Sequence, residues 1–227
     1  MSTLHALICA FNEAKTVGEV VTRTRPHVAR VTVVDDGSAD GTSALAEAAG
    51  AAVLRHETNR GKGAAVRTGL DAILATDATH VLFIDADRQH DPAEIPRLAA
   101  AAAGGAGVVI GSRFAEKEAI PRHRYLANAI GGRVLSLFAG VRLEDTQSGY
   151  RLIDADLLRR ITIEREDFAI ETEILLKAVG LGARVAYVPI RAIYFADRRS
   201  RFRPIRDTVR ISMAALRFRF FGTKRAR

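Results

Sequence analysis

The chain has no tryptophan, one cysteine, six prolines and only 6% aromatic residues across its 227 positions. A lone cysteine, Cys9, excludes an intramolecular disulfide framework and fits a reducing compartment. It sits inside an apolar run, which suits a core thiol held protonated better than a nucleophile. No apolar run approaches the roughly 20 residues that a membrane span needs. The most apolar window, residues 98–110, is short, rich in alanine and glycine, and bounded by Arg97 and Arg113, so no transmembrane helix is expected. The first residues show no basic region, apolar core and cleavage site in series, so the expected location is the cytosol. No repeat, linker or nucleic-acid-binding module with stacking aromatics is recognisable, and nucleic acid is not an expected partner.

What is present is a globular composition, 48% hydrophobic and 26% charged, long enough for one domain with a substantial core. The net charge of +8 is unevenly placed: positions 191–227 carry twelve Lys or Arg against Asp197 and Asp207, leaving 22 basic and 24 acidic residues before them. The chain therefore divides into a near-neutral domain over residues 1–195 and a basic segment over 196–227. A localised cationic patch implies a localised anionic partner. Wound as a helix, residues 204–221 place Ile205, Val209, Met213, Leu216 and Phe220 in one stripe edged by Arg206, Arg210 and Arg217. That pattern suits an interfacial helix on an anionic membrane surface. A terminal helix docked on the protein's own core, or on a partner, would carry the same stripe.

Short β-branched runs at residues 4–9, 31–34, 52–54, 81–84 and 108–110 alternate with helical patterns at 13–28, 42–49, 63–75 and 92–103. Asp91 before Pro92 reads as an N-cap followed by proline at the first helical position. The alternation predicts an α/β fold, a mostly parallel central sheet with helices on both faces. Beyond residue 112 it weakens to helices near 125–138 and 170–179 and a strand near 185–190.

Ligands of such sheets bind beyond the carboxyl ends of the strands, and the residues found there are polar. Asn12 and Glu13 follow the first run, Asp35-Asp36-Gly37-Ser38 the second, Asp85-Ala86-Asp87 the fourth and Gly111-Ser112-Arg113 the fifth. Asp85 and Asp87, one residue apart, offer hard oxygen donors suited to Mg²⁺ or Mn²⁺. Asp35 or Asp36 can accept from a ribose or base, although Asp, Gly and Ser are also the favoured residues of a turn and helix cap. Asn59-Arg60-Gly61-Lys62-Gly63 presents backbone N–H groups and the Lys62 cation to a phosphate, with a spacing that excludes a Walker motif.

These motifs in this order resemble the family 2 glycosyltransferases of the GT-A fold, a Rossmann-like nucleotide-diphospho-sugar transferase fold, over about the first 195 residues. Asp145-Thr146-Gln147-Ser148-Gly149-Tyr150-Arg151 and Glu171-Thr172-Glu173-Ile174-Leu175 are similar to the branch of dolichyl-phosphate mannose synthase and its polyprenyl-phosphate relatives. The first loop departs from the family's usual proline and tyrosine, having Cys9-Ala10-Phe11 before Asn12. The resemblance implies a nucleotide-sugar site at Asn12, Glu13, Asp35, Asp36, Lys62, Asp85 and Asp87, with Asp36 on the nucleoside. It implies Mg²⁺ or Mn²⁺ on Asp85, Asp87 and Gln89, and an acceptor phosphate on Arg113. Arg122 and Arg124 by position, and Ser148 within its motif, are further candidates for that phosphate. Asp87 and Arg113 are the expected catalytic residues. The expected activity is inverting transfer of a hexose, from a donor of the GDP-mannose or UDP-glucose type, to a polyprenyl or dolichyl phosphate. A saccharide or protein hydroxyl is the alternative acceptor, and a basic nucleic-acid-binding protein a remote alternative. The expected setting is peripheral, on the cytoplasmic face of the membrane. A phosphomonoester is already anionic above its second pKa, about 6, so this acceptor needs no general base.

Overall fold

The computed structural model describes residues 3–164, 170–191 and 193, so the basic segment 196–227 and its apolar stripe lie outside the described residues. Seven strands form one sheet: β1 (Leu4–Ala10), β2 (Arg30–Asp35), β3 (Ala52–Arg55), β4 (His80–Phe83), β5 (Val108–Ser112), β6 (Arg151–Asp154) and β7 (Val185–Pro189). Their order is β3-β2-β1-β4-β6-β5-β7. All neighbours pair in parallel except β6, which runs antiparallel to both β4 and β5.

Alternation along the strands divides the core in two. Leu7, Val34, Val81, Phe83, Val108, Ile110 and Ile153 point to one face. There they meet α3 (Lys62–Leu74), α5 (Arg122–Ala139), α6 (Ala155–Arg159) and α7 (Ile170–Gly180). Ala6, Ile8, Val33, Leu82, Ile84, Val109 and Leu152 point to the other, under α1 (Val17–Thr24), α2 (Thr42–Ala48) and α4 (Ile95–Ala103). The central strands are buried on both sides, which is why they read as continuous apolar runs.

The helix expected over 13–28 is shorter: α1 ends at Thr24 and a 3₁₀ turn, Arg25–His27, follows at Pro26, which lacks the N–H that helical continuation needs. Asp91 caps as expected, accepting from Ala93 N, though the turn it opens, Pro92–Glu94, is 3₁₀ before α4 begins. The sequence reading did not resolve β6, α6 or the 3₁₀ segment Phe114–Ala119. Asp154 ends β6 and caps α6 by accepting from Asp156 N and Leu157 N, so a single residue makes the transition.

The orientation of β6 places the site. An antiparallel strand between β4 and β5 begins where its neighbours end: Arg151, its first residue, sits opposite Phe83 and Ile110. The loop 145–150 is thereby delivered to the same sheet edge as Asp85 and Arg113.

Candidate active site

Asn12, Arg88 and Asp145 are the non-glycine residues with positive φ among the described ones, at 55°, 64° and 41°, and all lie in loops at this edge. Such conformations cost of order 1 kcal/mol each and persist only where their surroundings impose them.

The loops after β1 and β2 are tied to each other. Asn12 N donates to Ser38 Oγ at 2.8 Å and Asn12 Oδ1 accepts from Ala39 N at 2.9 Å, while Glu13 N donates to Thr42 Oγ1 at 2.9 Å. Asp35 is fully buried, with its carboxylate accepting from Ser38 N and Ser43 Oγ, so it serves the turn and the start of α2. Asp36 reaches across to the 59–61 loop, accepting from Arg60 N at 2.9 Å, Gly61 N at 2.8 Å and facing His56 Nδ1 at 2.7 Å. Gly61, at φ 93°, is the N-cap of α3. Asp36 thus fixes the backbone that aims Lys62, the first residue of α3.

Lys62 Nζ lies 3.0 Å from Asp85 Oδ1 and 2.6 Å from Glu171 Oε1, joining the end of β4 to the start of α7. Burial alone would lower the lysine pKa, but the two carboxylates outweigh it and raise it well above the usual range. Burial pushes the Asp85 pKa up, and Lys62, His90 and Arg113 together overcome this and hold it at about 2. His90 stacks on Tyr150 and burial lowers its pKa to about 4, leaving a neutral ring whose Nδ1 is 3.8 Å from Asp85 Oδ2. Asp87 Oδ1 accepts from Gln89 N at 3.0 Å, curling the loop so that Asp85, Asp87 and Gln89 follow the strand end together. Cys9, at the end of β1, is pushed by burial to about 12, so its thiol is inert here.

Beside this cluster stands a second. Arg113 donates through its backbone N (2.7 Å), Nε (3.0 Å) and Nη2 (2.6 Å) to the fully buried Asp145, which also accepts from Asn128 Nδ2 at 2.6 Å. Burial works to raise the Asp145 pKa, and Arg113 prevails and lowers it. The bidentate geometry locks the guanidinium in orientation. Arg151, 2% exposed, donates to the carbonyls of Thr146, Ser148 and Glu171, bracing the 145–149 loop against α7. Ser148 is fully buried and its Oγ donates to Gly111 O at 2.7 Å, a contact that joins β5 to the loop and turns the hydroxyl away from solvent. Arg122 is exposed and Arg124 half-buried in the first turn of α5. The structure therefore brings Lys62, Asp85 and Arg113 within electrostatic reach of one another, keeps Asp87 and Gln89 in the same loop, and turns Asp35 and Ser148 inward.

Among the described residues no three His, Cys, Asp or Glu side chains gather as a metal cage. The oxygens of Asp85, Asp87 and Gln89 nonetheless fit a Mg²⁺ or Mn²⁺ that takes its remaining ligands from water and a diphosphate, as hard cations at phosphate sites do. Asp145, Arg151 and Glu171 lie in the motifs that carry the family resemblance but had no site role from sequence, and His56 was not singled out. The available signal was charge accounting: a buried lysine and a buried arginine require carboxylate or carbonyl partners.

The arrangement, oxygen donors and a lysine at one strand end with an oriented arginine at the next, suits a diphosphate and a second anion held side by side. The chain is also similar to known proteins. A polyprenol monophosphomannose synthase of Mycolicibacterium smegmatis is 30% identical over 199 residues, 81% of this chain and 75% of that protein. An undecaprenyl-phosphate mannosyltransferase of Micrococcus luteus is 32% identical over 197 residues, 81% of each chain. Among solved structures, glucosyl-3-phosphoglycerate synthase from Mycobacterium tuberculosis, in complex with Mn²⁺, UDP-glucose and phosphoglyceric acid, superposes with a TM-score of 0.72 at 25% identity, over 96% of this chain and 79% of that one. The sequence model of glycosyl transferase family 2 matches residues 6–162. With the GT-A fold and the strand-end carboxylates already in place, that match makes the chain a member of glycosyl transferase family 2.

Proposed function

We propose that this glycosyltransferase moves a hexose from a nucleotide-diphosphate sugar to the phosphate of a polyprenyl or dolichyl lipid, with inversion at the anomeric carbon and with Mg²⁺ or Mn²⁺ bound. The observation that carries the reading is Arg113, oriented by bidentate contact with Asp145 and close enough to Asp85 to help depress its pKa. The names of the two mannosyl relatives support the lipid-phosphate acceptor, and the neighbour solved with Mn²⁺ and UDP-glucose supports the donor class and metal.

In this reading the nucleoside lies by the loops of Asn12, Glu13 and Asp36, and the diphosphate by Lys62. Asp85, Asp87 and Gln89 would hold the metal, which would supply positive charge beside the diphosphate. Arg113 draws the acceptor phosphate in beside an already anionic donor, with Arg122 and Arg124 adding positive potential at the entrance. An acceptor oxygen forms the new bond to the anomeric carbon as the bond to the diphosphate oxygen breaks, and the nucleoside diphosphate departs. No proton has to be removed, because the acceptor is ionised above pH of about 6.

The test is the purified full chain offered a panel of UDP- and GDP-sugars with polyprenyl phosphate and Mg²⁺ or Mn²⁺. A glycolipid is the expected product, and Asp87→Ala is expected to cut its rate by roughly 10²-fold or more with the fold intact. Undiminished turnover in excess chelator contradicts the metal assignment. A hydroxyl acceptor is the rival, and the neighbour bound to phosphoglyceric acid speaks for it. A free alcohol or phosphoglyceric acid that serves as well as the lipid phosphate would decide for that rival.

A further inference from the structure

Six large apolar residues are exposed among the described ones, and four of them, Leu126, Ile130, Leu137 and Val141, lie on α5 or just beyond its left-handed end at Gly140. Arg122, Leu126, Ile130, Arg133 and Leu137 follow one another at spacings of four, four, three and four, so they form one ridge along the helix, and all five are exposed. Leu137 is 81% exposed. Beside the ridge runs a groove of about 800 Å³ whose lining includes Phe114, Tyr125, Leu137 and Glu144. Phe114 follows Arg113 in the chain and Glu144 precedes Asp145, so the groove borders the two segments that carry this ion pair.

The charge along α5 itself has one sign. Between Glu118 and Glu144 the chain carries Arg122, Arg124, Arg133 and Arg142 and no acid. Arg142 contacts Glu144 at 3.4 Å but remains 89% exposed. An apolar ridge interleaved with arginines suits lipid: leucine and isoleucine enter the acyl boundary while the guanidinium groups meet anionic headgroups. Two other occupants match the charge less well. A second copy related by two-fold symmetry would set arginines against arginines, and residues 191–227 bring twelve more cations with only two acids.

We infer that the exposed ridge of α5 is a docking surface for an anionic bilayer, and that it seats the molecule with Arg113 at headgroup level. The inference deepens the proposed lipid-phosphate acceptor and rests on that reading for its purpose, but it is tested apart from catalysis.

The experiment uses the full chain and co-sedimentation with vesicles of phosphatidylcholine alone or mixed with phosphatidylglycerol. Wild type is expected on the mixed vesicles. Leu126→Glu/Ile130→Glu/Leu137→Glu is expected to weaken that partition about tenfold or more, with an unchanged melting temperature because the ridge is exposed. Because the chain has no tryptophan, Leu137→Trp supplies a single reporter that keeps the test readable if the triple variant melts early. Its emission is expected to shift to the blue on the mixed vesicles. Unaltered vesicle partition of the triple variant, or no spectral shift of the reporter, overturns the inference. So does a wild-type dimer that the triple substitution converts to monomer, or a triple variant that melts earlier yet still binds vesicles, the signature of a ridge covered by the C-terminal segment. Transfer to a short, water-soluble isoprenyl phosphate, without vesicles, is expected to be equal in wild type and triple variant. Its absence in wild type counts against the acceptor reading and leaves the vesicle result standing.

Discussion

Gly149 is where the acceptor-side loop passes closest to the metal-side carboxylate. A Cβ there would overlap Asp85 Oδ2, and that oxygen has little freedom to retreat because Lys62 holds the other one. Gly149→Ala is therefore expected to twist Asp85 off Lys62 and lower kcat/KM by about 10²-fold, since small misplacements of a positioning group cost that much. Steady-state kinetics paired with a thermal melt will check it: a normal rate would show that Asp85 need not stand where it does. Asp145 gives a second test at this scale. Its folded pKa is lowered, so its contribution is complete above the unfolded value, about 3.9, and is lost as pH falls through the folded one. Asp145→Asn leaves Arg113 partly buried without its counter-charge, and a loss of about 3 kcal/mol at pH 7 is expected in urea unfolding. The gap between wild type and variant should narrow as the pH is taken well below 4, and a gap independent of pH contradicts the ion-pair account. The strand-end carboxylates Asp85 and Asp87 were readable from sequence because their positions follow from the strand before them. Lys62 was a candidate too, but its pairing was not readable: Lys62 is 109 residues from Glu171, and only the folded sheet reveals that a lysine at the start of α3 needs a glutamate from α7.

Among the elements, α3 owes its close approach to the sheet to Gly69. A Cβ at this position would collide with Leu7 Cδ1 and lie 3.1 Å from Val34 Cγ2. Two effects oppose in Gly69→Ala. Helix propensity favours alanine by about 1 kcal/mol, and overpacking a tight core costs roughly 1–3 kcal/mol. Overpacking is expected to win, by about 1 kcal/mol, lowering the melting temperature by about 2–4 °C. Gly131 in α5 has nothing within 4 Å of the same added atom, so Gly131→Ala is the control and should stabilise by up to about 1 kcal/mol. Calorimetry on the pair checks both signs, and two stabilised variants would mean that α3 shifts freely on the sheet. The same packing explains which elements were legible. Strands buried on both faces announce themselves as β-branched runs, so β1, β2, β4 and β5 were found within a residue or two of their bounds. β6 has only four residues, two of them charged, and its place between β4 and β5 is decided by pairing rather than by local pattern.

For the whole molecule, charge is arranged in a gradient that neither composition nor fold alone discloses. The first 190 residues are nearly neutral, yet α5 carries three arginines and no acid, and the last 37 positions carry twelve basic residues. Near an anionic surface each Lys or Arg contributes about 1 kcal/mol, within a screening length of about 10 Å at 0.1 M salt and about 3 Å at 1 M. Burial of Leu126, Ile130 and Leu137 in the acyl boundary does not depend on that length. Vesicle binding of the full chain is therefore expected to fall steeply between 0.1 and 1 M salt, to about a tenth or less of its starting affinity, and then to level at a remainder above that of the triple glutamate variant. A co-sedimentation series in NaCl measures both limbs. Binding that vanishes at high salt would mean that the arginines act alone and the ridge stays in water. Binding indifferent to salt would mean that the cationic face takes no part, and that the ridge meets an uncharged apolar partner instead.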